Sequence, residues 1–150
     1  MCLPGTDTAD CRGLAEPPDD DLPDDVERRE QELTQCDVWS VANSGGVEGT
    51  VDRWDIATIP LGARLDLRFD AYQLPDRFRV GYQGATVYES GWRGDPSYAD
   101  KPGYAGGISG PGSGEALAMF TKGAANAFTV TVVGVDADTQ WTYSVRCRAP

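Results

Sequence analysis

The chain has 150 residues, enough for one domain with a sizeable core and too few for two. Its 24 acidic residues outnumber 13 basic ones and leave a net charge of −11, which repels nucleic-acid phosphates and anionic lipid, so neither is an expected partner. Histidine is absent, which removes the usual general base and with it any Ser-His-Asp or Cys-His site, and no run approaches the ~20 apolar residues of a membrane span.

Residues 1–35 read as an acidic, proline-rich arm followed by one short helix. Pro4, Pro17, Pro18 and Pro23 accompany the runs Asp19-Asp20-Asp21 and Asp24-Asp25, a composition that buries too little apolar surface to order itself. Pro23 suits a first helical position, and Asp24, Asp25 and Glu27 complement the positive end of a helix running to about Gln35. Leu22, Val26 and Leu33 form its one apolar stripe, fit to dock on the same domain or on a neighbouring subunit. Met1 to Cys11 has neither a basic start nor an apolar centre, so no export or lipoprotein signal is expected there.

From Cys36 the period changes to two, and residues 36–150 are expected to form one all-β domain. Val38 and Ser40 oppose Asp37, Trp39 and Val41, Asn43-Ser44-Gly45-Gly46 reads as a turn, and Val47 to Ile56 is a second run. The clearest strand follows. Leu65, Leu67, Phe69 and Ala71 fall on one face of an extended segment and Arg64, Asp66, Arg68 and Asp70 on the other. After Leu74-Pro75-Asp76, Phe78, Val80 and Tyr82 alternate with Arg77, Arg79 and Gly81, and Thr86 to Glu89 follows the turn at Gln83-Gly84. These three strands are expected to pair antiparallel in sequence order. Glu115 to Thr121, Ala127 to Val135 and Gln140 to Cys147 bring the total to about eight, the number for two packed antiparallel sheets in a jelly-roll-like sandwich.

Arg93 to Gly114 breaks the pattern. It is rich in glycine and proline, has no strand or helix period, and exceeds the ~12–15 residues usual for a structureless connection, which marks it as a binding loop or a disordered one, with its aromatics favouring binding. Trp92, Tyr98 and Tyr104, interleaved with Asp95, Asp100 and Lys101, offer flat apolar area for sugar rings or another protein, and the carboxylates accept from hydroxyls. The alternative is that the tyrosines pin the loop to its own sandwich. Tyr72 and Asp76, at the neighbouring corner, complete the candidate ligand-binding set. Pro75 makes that corner rigid, leaving the Asp76 carboxylate to bond the backbone, pair with Arg77 or bind a hard cation, with the structural corner favoured. Asp70, Asp76, Asp95 and Asp100 supply some of the roughly six to eight oxygens a Ca2+ ion needs, but without EF-hand spacing, so no cofactor and no metal is assigned. Paired carboxylates can hydrolyse glycosides, and Asp70 and Asp76 are candidates by proximity in sequence alone, in a chain that is small for such a cleft. The expectation is a protein that is not an enzyme.

Cysteines stand at 2, 11, 36 and 147 with no Cys-x-x-Cys pair, an arrangement that argues against zinc. Cys36 opens the first strand-like run and Cys147 closes the last, so a Cys36–Cys147 staple suits a sandwich whose terminal strands are neighbours. Cys2 with Cys11 would close a small loop or link subunits, and four reduced thiols is the remaining possibility.

The run Tyr72 to Gly84 (Tyr-Gln-Leu-Pro-Asp-Arg-Phe-Arg-Val-Gly-Tyr-Gln-Gly), then Val87-Tyr-Glu-Ser-Gly-Trp92 and the closing Gln140-Trp-Thr-Tyr-Ser-Val-Arg-Cys147, resembles a β-sandwich module of tailed-phage virion proteins and bacterial secreted proteins. The resemblance covers about residues 36 to 148. It implies a structural or decorating role in the head or tail of a bacteriophage particle, with host-glycan binding through the 92–114 loop. The implied partners are other virion proteins, met through the arm and helix, and a cell-surface glycan, with a homo-oligomer as the assembled form and the extracellular virion as its place. The alternatives are a carbohydrate-binding or adhesion module of a secreted bacterial protein and an isolated small hydrolase.

Overall fold

The computed structural model describes residues 27–45, 49–136 and 138–150. In chain order the strands are β1 (Glu27–Glu32), β2 (Asn43–Gly45), β3 (Thr50–Asp55), β4 (Arg64–Asp70), β5 (Asp76–Tyr82), β6 (Ala85–Arg93), β7 (Ile108–Gly110), β8 (Ser113–Thr121), β9 (Ala127–Gly134) and β10 (Trp141–Arg148). One 3₁₀ turn, Pro96–Asp100, lies between β6 and β7. Two sheets pack face to face, one ordered β1-β3-β9-β5-β6-β7 and the other β2-β10-β4-β8. The expected all-β sandwich is therefore present, with ten strands among the described residues rather than about eight. The extra strands are β1 and β7, which lie at the two edges of the larger sheet and run parallel to their neighbours β3 and β6.

The core follows from the alternation. Leu65, Leu67 and Phe69 of β4 point inward with Trp141, Tyr143 and Val145 of β10, and meet Phe78 and Val80 of β5, Phe128, Val130 and Val132 of β9, and Trp54 of β3. Phe69 and Phe78 stack across the two sheets with ring centroids 4.5 Å apart, and Trp141 meets Phe78 edge-on at 6.4 Å. Burying each such side chain is worth about 1.5–3 kcal/mol, which makes this inter-sheet layer the main stabilising feature.

Three sequence expectations are corrected. Residues 27–35 are not helical. Glu27–Glu32 pairs residue by residue with Thr50–Asp55, and Leu33 enters the core. Pairing with β3 outweighs the helix propensity of a Glu-Arg-rich segment, because propensity contributes only tenths of a kcal/mol per residue. Arg29 adds a clasp. Its Nε and Nη2 donate to the buried carboxylate of Asp52 at 2.6 and 2.8 Å, and its Nη1 donates to the carbonyl of Ser44 in the opposite sheet at 3.0 Å. Tyr143 donates its hydroxyl to Asp52 and accepts from the Trp54 indole at 3.0 Å. Leu22 and Val26, the other members of the expected stripe, lie outside the described residues, as do the arm, Cys2 and Cys11.

The second correction concerns Cys36 to Val41 and the turn expected after it. Residues 37–40 run beside β10 through scattered bonds, Asp37 N to Cys147 O (2.6 Å) and Ser40 N to Val145 O (2.8 Å), without a regular ladder. The strand β2 forms instead at Asn43–Gly45, against Trp141–Tyr143. The expected staple is present: Cys36 and Cys147 are disulfide-bonded with Cα atoms 4.7 Å apart.

The third concerns β4, β5 and β6. Only β5 and β6 form a hairpin, through Gln83 and Gly84, both at positive φ as a tight two-residue turn requires. β4 lies in the other sheet, because the Leu74-Pro75 corner carries the chain across the sandwich instead of reversing it in plane.

Candidate functional site

One end of the sandwich gathers all six sequence-predicted ligand residues. The Arg93–Gly114 segment, expected to lack regular structure, contains the 3₁₀ turn and β7, and its backbone is bonded along its length. Gly94 N donates to Gly110 O at 3.0 Å, Asp95 N to Gln73 O at 2.9 Å, and Ala71 N to Gly112 O at 2.9 Å. Asp95 caps the 3₁₀ turn by accepting from Ser97 N at 2.9 Å, and that bond holds its exposed carboxyl below the usual aspartate range.

The aromatic side chains divide into two groups. Trp92 and Tyr104 are buried and meet edge-on at 5.1 Å, while Tyr98 meets Tyr104 edge-on at 6.0 Å and carries the Lys101 ammonium 5.5 Å above its ring. Arg77 lies over Trp92 at 5.7 Å. Trp92 and Tyr104 thus hold the segment down on the sandwich. Tyr72, 51% exposed, Tyr98, half-buried, and Asp95 are the members of the set that reach solvent. Tyr72 sits at a positive φ of 58°, steadied by its N–H donating to Asp70 Oδ1 at 2.8 Å.

Asp76 is fully buried. Thr139 Oγ1 donates to its Oδ1 at 2.7 Å, and Oδ2 has no partner. Burial pushes its pKa up to about 8, the Thr139 bond opposing. Arg77 turns the other way, donating to Glu89 through Nε and Nη2 at 3.1 Å each. Asp76 accordingly joins the proline corner to the turn between β9 and β10, the structural reading of that corner. Asp70 and Asp76 sit in opposite sheets, one partly exposed and one enclosed, and do not face a common space. Among the described residues no three His, Cys, Asp or Glu side chains are grouped to hold a metal ion.

A second feature escaped the sequence. A groove of about 500 Å³ runs along the outer face of β8, β4 and β10, lined by Ala42, Arg68, Asp70, Ser113, Glu115 and Thr142 among others. Register creates it: Arg68 lies opposite Glu115 and Ser144, and Asp70 opposite Ser113 and Thr142. Trp39 lies beside it, with the guanidinium carbons of Arg68 and Arg146 at 4.5 and 4.3 Å from its ring centroid. Beneath, Asp66 is fully buried and accepts from Arg146 Nε (2.9 Å), Arg148 Nε (2.8 Å) and Ala118 N (2.8 Å). Burial pushes its pKa up, and these bonds outweigh it to hold the group lowered. The alternation of β4 places Arg68 and Asp70 outward, but which strands flank β4 is a long-range property that no local pattern encodes.

No family model, curated protein or solved structure matches the chain.

Proposed function

We propose that this chain is a non-enzymatic structural or decorating protein of a phage particle, whose jelly-roll sandwich offers a glycan-reading surface. The observation that carries the reading is strand order. With β1 and β7 set aside as added edges, the eight remaining strands, renumbered along the chain, fall into the two sheets in the orders 1-8-3-6 and 2-7-4-5. That is the order of a jelly roll, the two-sheet design of many viral capsid and lectin domains. The Cys36–Cys147 disulfide suits an oxidising, extracellular setting. The side chains that reach solvent at the loop end, Tyr72, Asp95 and the half-buried Tyr98, supply the glycan contacts of the 92–114 region.

The second reading, a carbohydrate-binding module of a secreted bacterial protein, is favoured by the polar groove beside Trp39. Light scattering after size exclusion, run beside a glycan array on the same full-length protein, separates the two. A virion component is expected as a closed oligomer. A monomer that binds glycan supports the secreted module, and a monomer with a blank array overturns both.

A further inference from the structure

The groove on the outer face of the four-stranded sheet holds hydrogen-bonding groups that the fold itself leaves unused. Arg68 makes no ion pair or hydrogen bond among the described residues, although Glu115 is its direct cross-strand neighbour. Among the described residues its side chain lies over the Trp39 ring. Arg146, on the same ring, is engaged by Asp66. The Arg68 guanidinium, its carbon 4.5 Å from the Trp39 ring centroid, is thus steadied at the groove it lines, so less side-chain freedom remains to be lost when a ligand arrives. Asp70 uses Oδ1 for Tyr72 N and keeps the other oxygen. Ser113, Thr142 and Glu115 also line the groove.

This set has a readable chemistry. Carboxylates only accept and a guanidinium only donates, while hydroxyls do both. A ligand that bonds to Arg68, Asp70 and Glu115 at once must carry groups that donate and accept in close succession, which is the property of vicinal hydroxyls. Charge narrows the class further. Arg68 set against Asp70 and Glu115 leaves the lining with one excess negative charge, and the whole chain carries −11, so an anionic ligand is repelled. The volume of about 500 Å³ falls within the ~300–1,000 Å³ of small-molecule sites.

We infer that this groove binds a neutral oligosaccharide, held by hydrogen bonds from its hydroxyls to Arg68, Asp70 and Glu115. The inference rests on the glycan reading above and moves its principal contacts from the 92–114 loop to the sheet face, with Tyr72 where the two regions adjoin.

The test uses the full chain on an array carrying neutral N-acetylglucosamine and galactose oligomers beside sialylated and sulfated ones, followed by calorimetry with the best-bound neutral oligomer. Arg68→Ala and Glu115→Ala are expected to weaken binding by about tenfold or more each, the scale of a lost charge-assisted hydrogen bond. Both side chains are exposed and Arg68 gives up only its stack on Trp39, so the melting temperature is expected to change little. Arg53→Ala, on the outer face of the other sheet, is expected to bind as the unaltered chain does. Loss with Tyr98→Ala but not with the groove variants overturns the groove and leaves the loop reading standing. Binding confined to sialylated or sulfated glycans overturns the neutral class. A blank array for the unaltered chain overturns the glycan reading and this inference with it.

Discussion

Asp76 and Thr139, 63 residues apart in sequence, meet in a 2.7 Å hydrogen bond in the interior of one end of the sandwich. The bond reaches one carboxyl oxygen and leaves the other unpartnered, so the site suits a neutral carboxyl better than a charged one.

Stability is therefore expected to fall as pH rises from about 4 to about 8. The folded value of about 8 lies far above the ~3.9 of an exposed aspartate, so folding binds a proton between the two. The stabilisation linked to neutral Asp76 is fully present below about pH 4 and is lost as pH rises through about 8. Urea midpoints measured from about pH 5 to about pH 9 are expected to drop by the equivalent of several kcal/mol, at up to ~1.4 kcal/mol per pH unit. Asp76→Asn keeps the acceptor for Thr139 without a charge and is expected to remove this slope. Asp66 and Glu89 act in the opposite window. Their pKa values are lowered, so their stabilisation is present above about pH 4 and disappears as pH falls through the folded values, in both proteins.

Arg29 holds β1 to the sandwich through Asp52, whose side chain has no exposure. Arg29→Ala strands a buried charge and is expected to cost about 3–5 kcal/mol in chemical denaturation. Tyr143→Phe removes the hydroxyl shared by Asp52 and Trp54 and is expected to cost about 1–3 kcal/mol. Because both act on one carboxylate, the double variant is expected to lose less than the sum.

The Cys36–Cys147 bond links positions 111 residues apart. Cys36→Ser with Cys147→Ser, or reduction of the native chain, is expected to lower stability by about 2–5 kcal/mol. Peptide mapping without reductant is expected to recover the two cysteines in one cross-linked pair.

Gly112 controls the loop end. A Cβ there would collide with the backbone oxygen of Tyr72 and crowd its nitrogen, whereas at Gly106, at φ 88°, nothing lies within 4 Å. Gly112→Ala is expected to cost more than about 2 kcal/mol by melting and to disturb Tyr72, while Gly106→Ala is expected to cost only about 1 kcal/mol, the strain of its backbone angle.

Strands that bury one face were legible because alternation is imposed locally. Leu65, Leu67 and Phe69, then Phe78, Val80 and Tyr82, fall on the core side as their spacing predicts. Strands made by pairing alone were not. β1 reads Glu-Arg-Arg-Glu-Gln-Glu, β2 Asn-Ser-Gly and β7 Ile-Ser-Gly, and each becomes a strand because a neighbour supplies its hydrogen bonds. Asp66 shows the same limit on the polar face. Its spacing marks it as exposed, and Arg146 and Arg148, some 80 residues later, enclose it. At the loop end the sequence places Trp92, Tyr98 and Tyr104 in one segment, but it cannot say that Trp92 and Tyr104 turn their rings toward each other.

The rims of the two sheets govern how copies of the molecule meet. The larger sheet finishes on one side in a strand whose residues are charged at every position but Gln31, and on the other in three residues followed by Pro111. The smaller finishes in the three residues of β2 and in β8, whose pairing with β4 shifts register between Leu65 and Leu67. Among the described residues an incoming strand meets three-residue edges at β2 and β7, an irregular ladder at β8 and charges of both signs along β1, features that disfavour the edge-to-edge polymerisation to which flat, open sheets are prone.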